Sequence, residues 1–181
     1  WIYNDAMVKD FACVRDDAHI SGRSKISGHA IIYGKACVCE DARVFGNARV
    51  FGNAKVRGEA IVRDDAVICD DAFVIDRCCV LSNAVIHGLA HLDGRAEVGI
   101  DADISDDSPC MFISSLSKRY RPLTFYRDIN KDIRVVIDGF EGCPLSLFED
   151  MYCKDTELGK LYTQAEKLAK DFFEYWDNTD D

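Results

Sequence analysis

Counting in sixes from Ile2 reaches Val8, Val14, Ile20, Ile26, Ile32, Val38, Val44, Val50, Val56, Val62, Ile68, Val74, Val80, Ile86, Leu92, Val98 and Ile104. All eighteen positions are aliphatic, and all but Leu92 are β-branched. Two residues before each of the last seventeen stands Ala, with Ser24 and Cys78 as the exceptions. No insertion interrupts the count. A strict short period over more than a hundred residues means that every unit meets the same surroundings, which is the condition of a solenoid.

Elementary strand geometry says what each unit does. In A-x-V the Ala and the Val point to one side and their neighbours to the other. Each hexad is then a very short strand that turns one small and one branched residue inward. The residues that follow are mostly Gly, Asn or Asp, as in Gly46-Asn47, Gly52-Asn53 and Asp64-Asp65. These tolerate the left-handed backbone of a sharp corner. In VFGNARVFGNAKV, from Val44 to Val56, Val and Ala fill an axis, Gly-Asn makes the corner and Phe and Arg decorate the outside.

Residues 1–106 resemble the hexapeptide-repeat proteins that fold as left-handed parallel β-helices. The resemblance implies three hexads per triangular coil, hence about six coils, and it implies the left hand. At about 4.8 Å between strands the prism is somewhat under about 30 Å long. Residues eighteen apart then stack, and the outer surface reads as three walls. One carries Ile31 and Tyr33, Arg49 and Phe51, Val67 and Cys69, Val85 and His87. A second carries His19, Cys37 and Cys39, Lys55 and Arg57, Phe73 and Ile75, His91 and Asp93. The third carries Lys25, Arg43 and Phe45, Ile61 and Arg63, Cys79 and Leu81.

The first wall is the most apolar, and an outward apolar strip marks an interface. Ile31, Tyr33, Phe51, Val67 and Val85 are its expected contact residues. Two occupants stay open: a second copy, since relatives of this kind are often trimers and a dimer is equally compatible, or the chain's own C-terminal segment.

The rhythm stops after Ile104. Residues 107–181 read as a small α+β module for capping or oligomerisation, beginning in a linker, DISDDSPC, of Asp103 to Cys110. MFISSL and RPLTFYRDI read as strands, and Asn130-Lys131-Asp132 turns into IRVVIDGF to make a hairpin. Pro144 suits the first position of a short helix through SLFEDMYC. Asp155 or Thr156 caps a longer helix to about Asp177. On that helix Leu158, Leu161, Tyr162, Ala165, Leu168, Ala169, Phe172, Phe173 and Trp176 form an apolar stripe at helical spacing. Such a module could cover the unpaired strand edges of the last coil.

The hexads, together with LTFYRD, IRVVIDGFEG and LFED in the tail, resemble hexapeptide-repeat proteins of phage and prophage genomes, commonly labelled acyltransferases. The reading adopted is a non-catalytic binding or scaffold protein of that type, a homo-oligomer engaging a protein partner through its solenoid faces. A counter-defence inhibitor fits the analogy. The alternative is a coenzyme A-dependent acyltransferase. The resemblance then implies a His general base at a subunit seam, with His87 the best candidate and His91 the next. Three features weigh against it. Gly falls one residue later than in the acyltransferase hexad, no loop interrupts the coils, and the net charge is −10. A second alternative is a small nucleotide held at the seams. The adopted reading needs no cofactor.

Other constellations are weaker. His19 stacks on Cys37, with Cys39 two residues along, and imidazole and thiolates are ligands zinc prefers. No fourth ligand is evident, although Ser21 or a water could complete the shell, and no metal is assigned. The pairs Asp16-Asp17, Asp64-Asp65 and Asp70-Asp71 lie at successive corners rather than in the nine-residue calcium roll, and read as turn formers. KRYRPLTFYR, Lys118 to Arg127, interleaves cations with aromatics, but its alternation is that of a half-buried strand. The charge of −10 also disfavours nucleic acid. Nine cysteines, an odd number with no C-x-x-C and no pair eighteen apart, point to a reducing, cytoplasmic setting. No apolar run of about eighteen residues offers a membrane span. The N-terminus lacks a signal-peptide pattern and an initiator Met, so it reads as trimmed.

Overall fold

A computed structural model describes residues 1–113, 122–137, 140–153 and 156–178 of the protein. Seventeen two-residue strands follow the hexads one by one. They form three parallel walls. The first comprises β1 (Met7–Val8), β4 (Lys25–Ile26), β7 (Arg43–Val44), β10 (Ile61–Val62), β13 (Cys79–Val80) and β16 (Glu97–Val98). The second comprises β2 (Cys13–Val14), β5 (Ile31–Ile32), β8 (Arg49–Val50), β11 (Val67–Ile68), β14 (Val85–Ile86) and β17 (Asp103–Ile104). The third comprises β3 (His19–Ile20), β6 (Cys37–Val38), β9 (Lys55–Val56), β12 (Phe73–Val74) and β15 (His91–Leu92), with one further bridge from Ile2 to Ile20. Every pairing joins residues eighteen apart, as Ile31 to Arg49 and Arg49 to Val67. The fold is a mainly-β parallel solenoid of between five and six coils.

The inward assignment holds residue by residue. The hexad Ala and Val or Ile side chains from Ala18 to Ile104 are buried. Ser24 takes one Ala slot and donates its hydroxyl to the Ser21 carbonyl at 2.8 Å, so it leaves nothing unpaired. Cys78 takes another and is fully buried.

The corners explain part of the acidity. Asp10, Asp16, Glu40, Asp64, Asp70 and Asp76 all adopt left-handed φ between 57° and 63°. Each carboxylate accepts the backbone N–H of the corner residue one coil on: Gly28, Gly34, Gly58, Ser82, Gly88 and Gly94. The acid pairs at these corners are therefore turn formers that also satisfy a donor in the next coil. Gly58 shows why Gly alternates with them. Its φ is +75°, and an added Cβ would lie 2.7 Å from the backbone N and O of Asp76. No side-chain rotation relieves that contact.

The tail adds a four-stranded antiparallel sheet in the order β18 (Met111–Ile113), β19 (Leu123–Arg127), β20 (Ile133–Ile137) and β21 (Phe140–Pro144). Two helices follow, α1 (Leu145–Tyr152) and α2 (Glu157–Asp177). The β19–β20 hairpin turns where Asn130-Lys131-Asp132 placed it, with Lys131 at φ 65°. Thr156 caps α2 by accepting from the Gly159 N–H at 2.9 Å. Three expectations are corrected. IRVVIDGF is not one strand: β20 ends at Ile137, which pairs with Phe140 at the start of a separate β21. Pro144 precedes the first helical residue and serves as N-cap. On α2, Leu161 and Leu168 are exposed, so the buried stripe narrows to Tyr162, Ala165, Ala169 and Phe173. Ser114 to Leu116, Lys118 to Arg121 and Asp155 lie outside the described residues.

The tail seals the end of the solenoid. Tyr126 and Val136 join the solenoid core, Thr124 Oγ1 accepts from Glu97 N–H at 3.0 Å, and the Tyr126 hydroxyl donates to the Ile100 carbonyl at 3.0 Å. Ala102 bridges Asp128, and Ile129 N–H donates to the Asp101 carbonyl at 2.9 Å. A second small core holds Leu123, Phe125, Val135, Phe148, Tyr162 and Phe173 together. Among the described residues no helix is long and apolar enough to cross a membrane.

Candidate functional site

The solenoid fixes outward side chains as rigidly as inward ones, because each residue sits one coil spacing from its neighbour eighteen residues away. On the wall of β2, β5, β8, β11, β14 and β17 this register lines up Arg15, Tyr33, Phe51, Cys69 and His87 in one column. The Tyr33 and Phe51 rings stack at 4.8 Å and 10°, which is the strand spacing itself. The Arg15 guanidinium covers the other face of Tyr33 at 4.7 Å. Beside this column run Ile31, Arg49, Val67 and Val85. Ile31, Tyr33, Phe51, Val67 and Val85 are all half-buried, so the five expected contact residues share one wall and form one strip.

Among the described residues the tail covers the end coil rather than lying along this strip as a dock. Two side chains assigned to the outer surface are nonetheless withdrawn. Leu81 is 2% exposed and Cys69 9%. Burial, with Asp70 alongside, pushes the Cys69 thiol up to about 11, so it is an inert packing group at neutral pH.

His87 is half-exposed, and its Nε2 lies 2.9 Å from Asp103 Oδ1. Sequence reading missed Asp103, although the register carried the signal: Asp103 pairs with Val85, two residues before His87. A carboxylate in this position fixes the imidazole's orientation. His91 differs. It is exposed and tilts against Phe73 at 5.8 Å, itself capped by the Lys55 ammonium at 4.7 Å.

His19 does pair with Cys37 in β3 and β6. Burial and the neighbouring Cys37 raise the Cys39 thiol to about 11, which disfavours the thiolate a metal needs. Among the described residues no group of three or more His, Cys, Asp or Glu is placed to hold a metal ion. In KRYRPLTFYR, Phe125 and Tyr126 are fully buried and have no face to offer a base. Arg127 pairs with Asp177 at 2.5 Å and lies over Phe173. A cavity of about 570 Å³ on the tail is lined by Arg127, Lys131, Asp132 and Arg134. Arg134 is already held by Asp128 at 2.7 Å and Arg127 by Asp177, so neither guanidinium is spare for an anion.

Residues 42–58, ARVFGNARVFGNAKVRG, match the family model described as the YdcK beta solenoid repeat. A comparison with curated proteins finds no match.

Proposed function

We propose that the protein is a non-catalytic scaffold that assembles with protein through the wall of β2, β5, β8, β11, β14 and β17. The observation that supports this most is the half-buried Tyr33–Phe51 stack, flanked by Ile31, Val67 and Val85 on a rigid flat sheet. Rings held at a fixed spacing lose little entropy on contact, and a flat aromatic-aliphatic strip suits a partner better than a small ligand. The resemblance adds the finer form: a phage or prophage protein whose acidic corners and apolar wall block a host protein. Phe51→Glu places a charge in the middle of the strip. It is expected to leave the fold intact by circular dichroism and to abolish assembly in light scattering. Unchanged assembly would sink the reading.

A second reading rests on the His87–Asp103 pair. An imidazole oriented by a carboxylate is suited to take a proton from an acceptor hydroxyl or amine, as a coenzyme A-dependent acyltransferase requires. On this reading an acyl-coenzyme A compound raises the melting temperature in a concentration-dependent way, and His87→Ala removes any acyl transfer while binding persists. No thermal shift with any acyl-coenzyme A compound, and a shift with nucleotides alone, would favour ligand holding at the seams instead.

A further inference from the structure

Of the strand pairings in the solenoid, only one sets two charged outward side chains side by side. It joins β4 to β7 and stacks Lys25 on Arg43. In the same column Met7 precedes Lys25 and Ile61 follows Arg43. Every other charged residue of a wall strand has uncharged neighbours, as Arg49 has Ile31 and Val67, and Lys55 has Cys37 and Phe73. The Lys25 and Arg43 backbones are one strand spacing apart, about 4.8 Å. Like charges held opposite each other across a strand pair are destabilising. The neighbouring corner shows the usual remedy: Arg23 meets Asp41 at 2.7 Å, and Arg77 meets Glu59 at 3.1 Å. Among the described residues neither Lys25 nor Arg43 has a carboxylate at ion-pair distance.

The surroundings of the pair are basic although the chain is acidic. Residues 18–57 carry seven Lys and Arg against two acids, Glu40 and Asp41, in a chain of net charge −10. Glu40 already accepts the Gly58 N–H at 2.8 Å, and Asp41 is taken by Arg23. Lys25 and Arg43 line a cavity of about 340 Å³ together with Arg23, Asp41 and Asp5. A second cavity, of about 380 Å³, runs past Arg43 to Glu59 and Ile61. Among the described residues Asp5 is the one acid of these cavities with no cation paired to it.

From the unneutralised pair and the cavity beside it we infer an anion site on this wall, whose ligand is a phosphoryl group. The Arg43 fork matches two oxygens of a phosphate, and the Lys25 ammonium is long enough to reach a third. A phosphate also carries close to two negative charges, which cancels both cations. A carboxylate cancels one and leaves the crowding between them. Phe45, half-buried two residues after Arg43, offers a ring to whatever group a phosphate ester would carry. The site lies on a different wall from the Tyr33–Phe51 strip and does not depend on that strip being an interface.

The experiment is thermal melting of the full chain with inorganic phosphate, against sodium chloride of equal ionic strength. A dissociation constant on the order of 1 mM is expected for two exposed cations. Phosphate at about 10 mM then raises the melting temperature by about 4 °C over the chloride control. Lys25→Ala and Arg43→Ala are each expected to weaken binding at least about fivefold. Asp5→Asn removes the competing acid and is expected to tighten it. Lys25→Glu puts an opposite charge beside Arg43. At low salt without phosphate it is expected to melt about 2 °C above wild type, and to give no response to phosphate. Phenyl phosphate separates the two sources of the group. Tighter binding than phosphate assigns the site to an aromatic ester, and equal or weaker binding assigns it to the free ion.

Three outcomes overturn the inference. One is a phosphate effect no larger than that of chloride. Another is an effect that survives in both alanine variants. The third is a Lys25→Glu protein that melts below wild type or still responds to phosphate. Phe51→Glu changes another wall and is expected to keep the phosphate response. Loss of assembly in that variant therefore says nothing against the anion site, and a failed phosphate titration says nothing against the strip.

Discussion

Val56→Asp is expected to leave no cooperatively folded protein. Val56 is fully buried, in a coil whose inner face is otherwise Ala, Val and Ile. A carboxylate there meets no donor, and protonating it still leaves a buried acid without partners. The cost exceeds about 5 kcal/mol, which is comparable to the whole stability of a domain this size. The solenoid makes it worse than in a layered core. Each coil is the template for the next, so a broken coil interrupts pairing on all three walls. Circular dichroism melts check the expectation. A melting temperature near that of the parent would overturn the inward assignment of the hexad Val.

Asp128→Ala is the second large effect, and it acts at the seal between solenoid and tail. The Asp128 side chain is fully buried. It accepts from the Asn130 and Asp132 N–H groups at 2.9 and 3.0 Å and from Arg134 Nε at 2.7 Å, while its backbone bridges Ala102. Removing it leaves two N–H donors and a guanidinium facing a void, a loss of about 3 kcal/mol. For a chain of this length that is roughly 9 °C of melting temperature. The pH dependence has a definite sign. Burial alone would raise the Asp128 carboxyl, but Arg134 and the two N–H donors outweigh it and hold the group below its ordinary range. Its contribution is therefore present above the unfolded value of about 3.9 and is lost as pH falls through the lower folded value. The gap between parent and Asp128→Ala should be constant near neutrality and close below about pH 4. A gap that stayed open in acid would show that the carboxylate charge is not what holds the turn.

Both expectations start from patterns of different kinds. Val56 could be assigned inward from the hexad alone. The Asp128 turn could be placed from Asn130-Lys131-Asp132, yet nothing in that stretch said that its carboxyl would be buried against the last coil. The same contrast runs through the candidate site. Tyr33 over Phe51 follows from eighteen-residue counting. Asp103 beside His87 followed from the same counting but sits in the segment that reads as linker, and so escaped notice. The strand β21 was missed because its residues, FEGCP, lack strand character. The Asp138-Gly139 dipeptide before it is a strong hairpin signal that could have located it. The burial of Leu81 and Cys69 had no local signal at all.

The sequence by itself determined which side chain of every hexad points to the axis, where the corners fall and which residues stack. The first two depend only on a period of two within a strand and a period of six along the chain, and the stacking needs in addition the three hexads per coil that the resemblance implied and the eighteen-residue pairings show. The tertiary structure alone decided that the tail closes the end of the solenoid instead of lying along its wall, and so which apolar strip stays open to a partner. That choice rests on shape and donors at the last coil, where Thr124, Tyr126 and Asp128 find the groups that the ended repeat left free. Such matching between distant segments has no period to betray it.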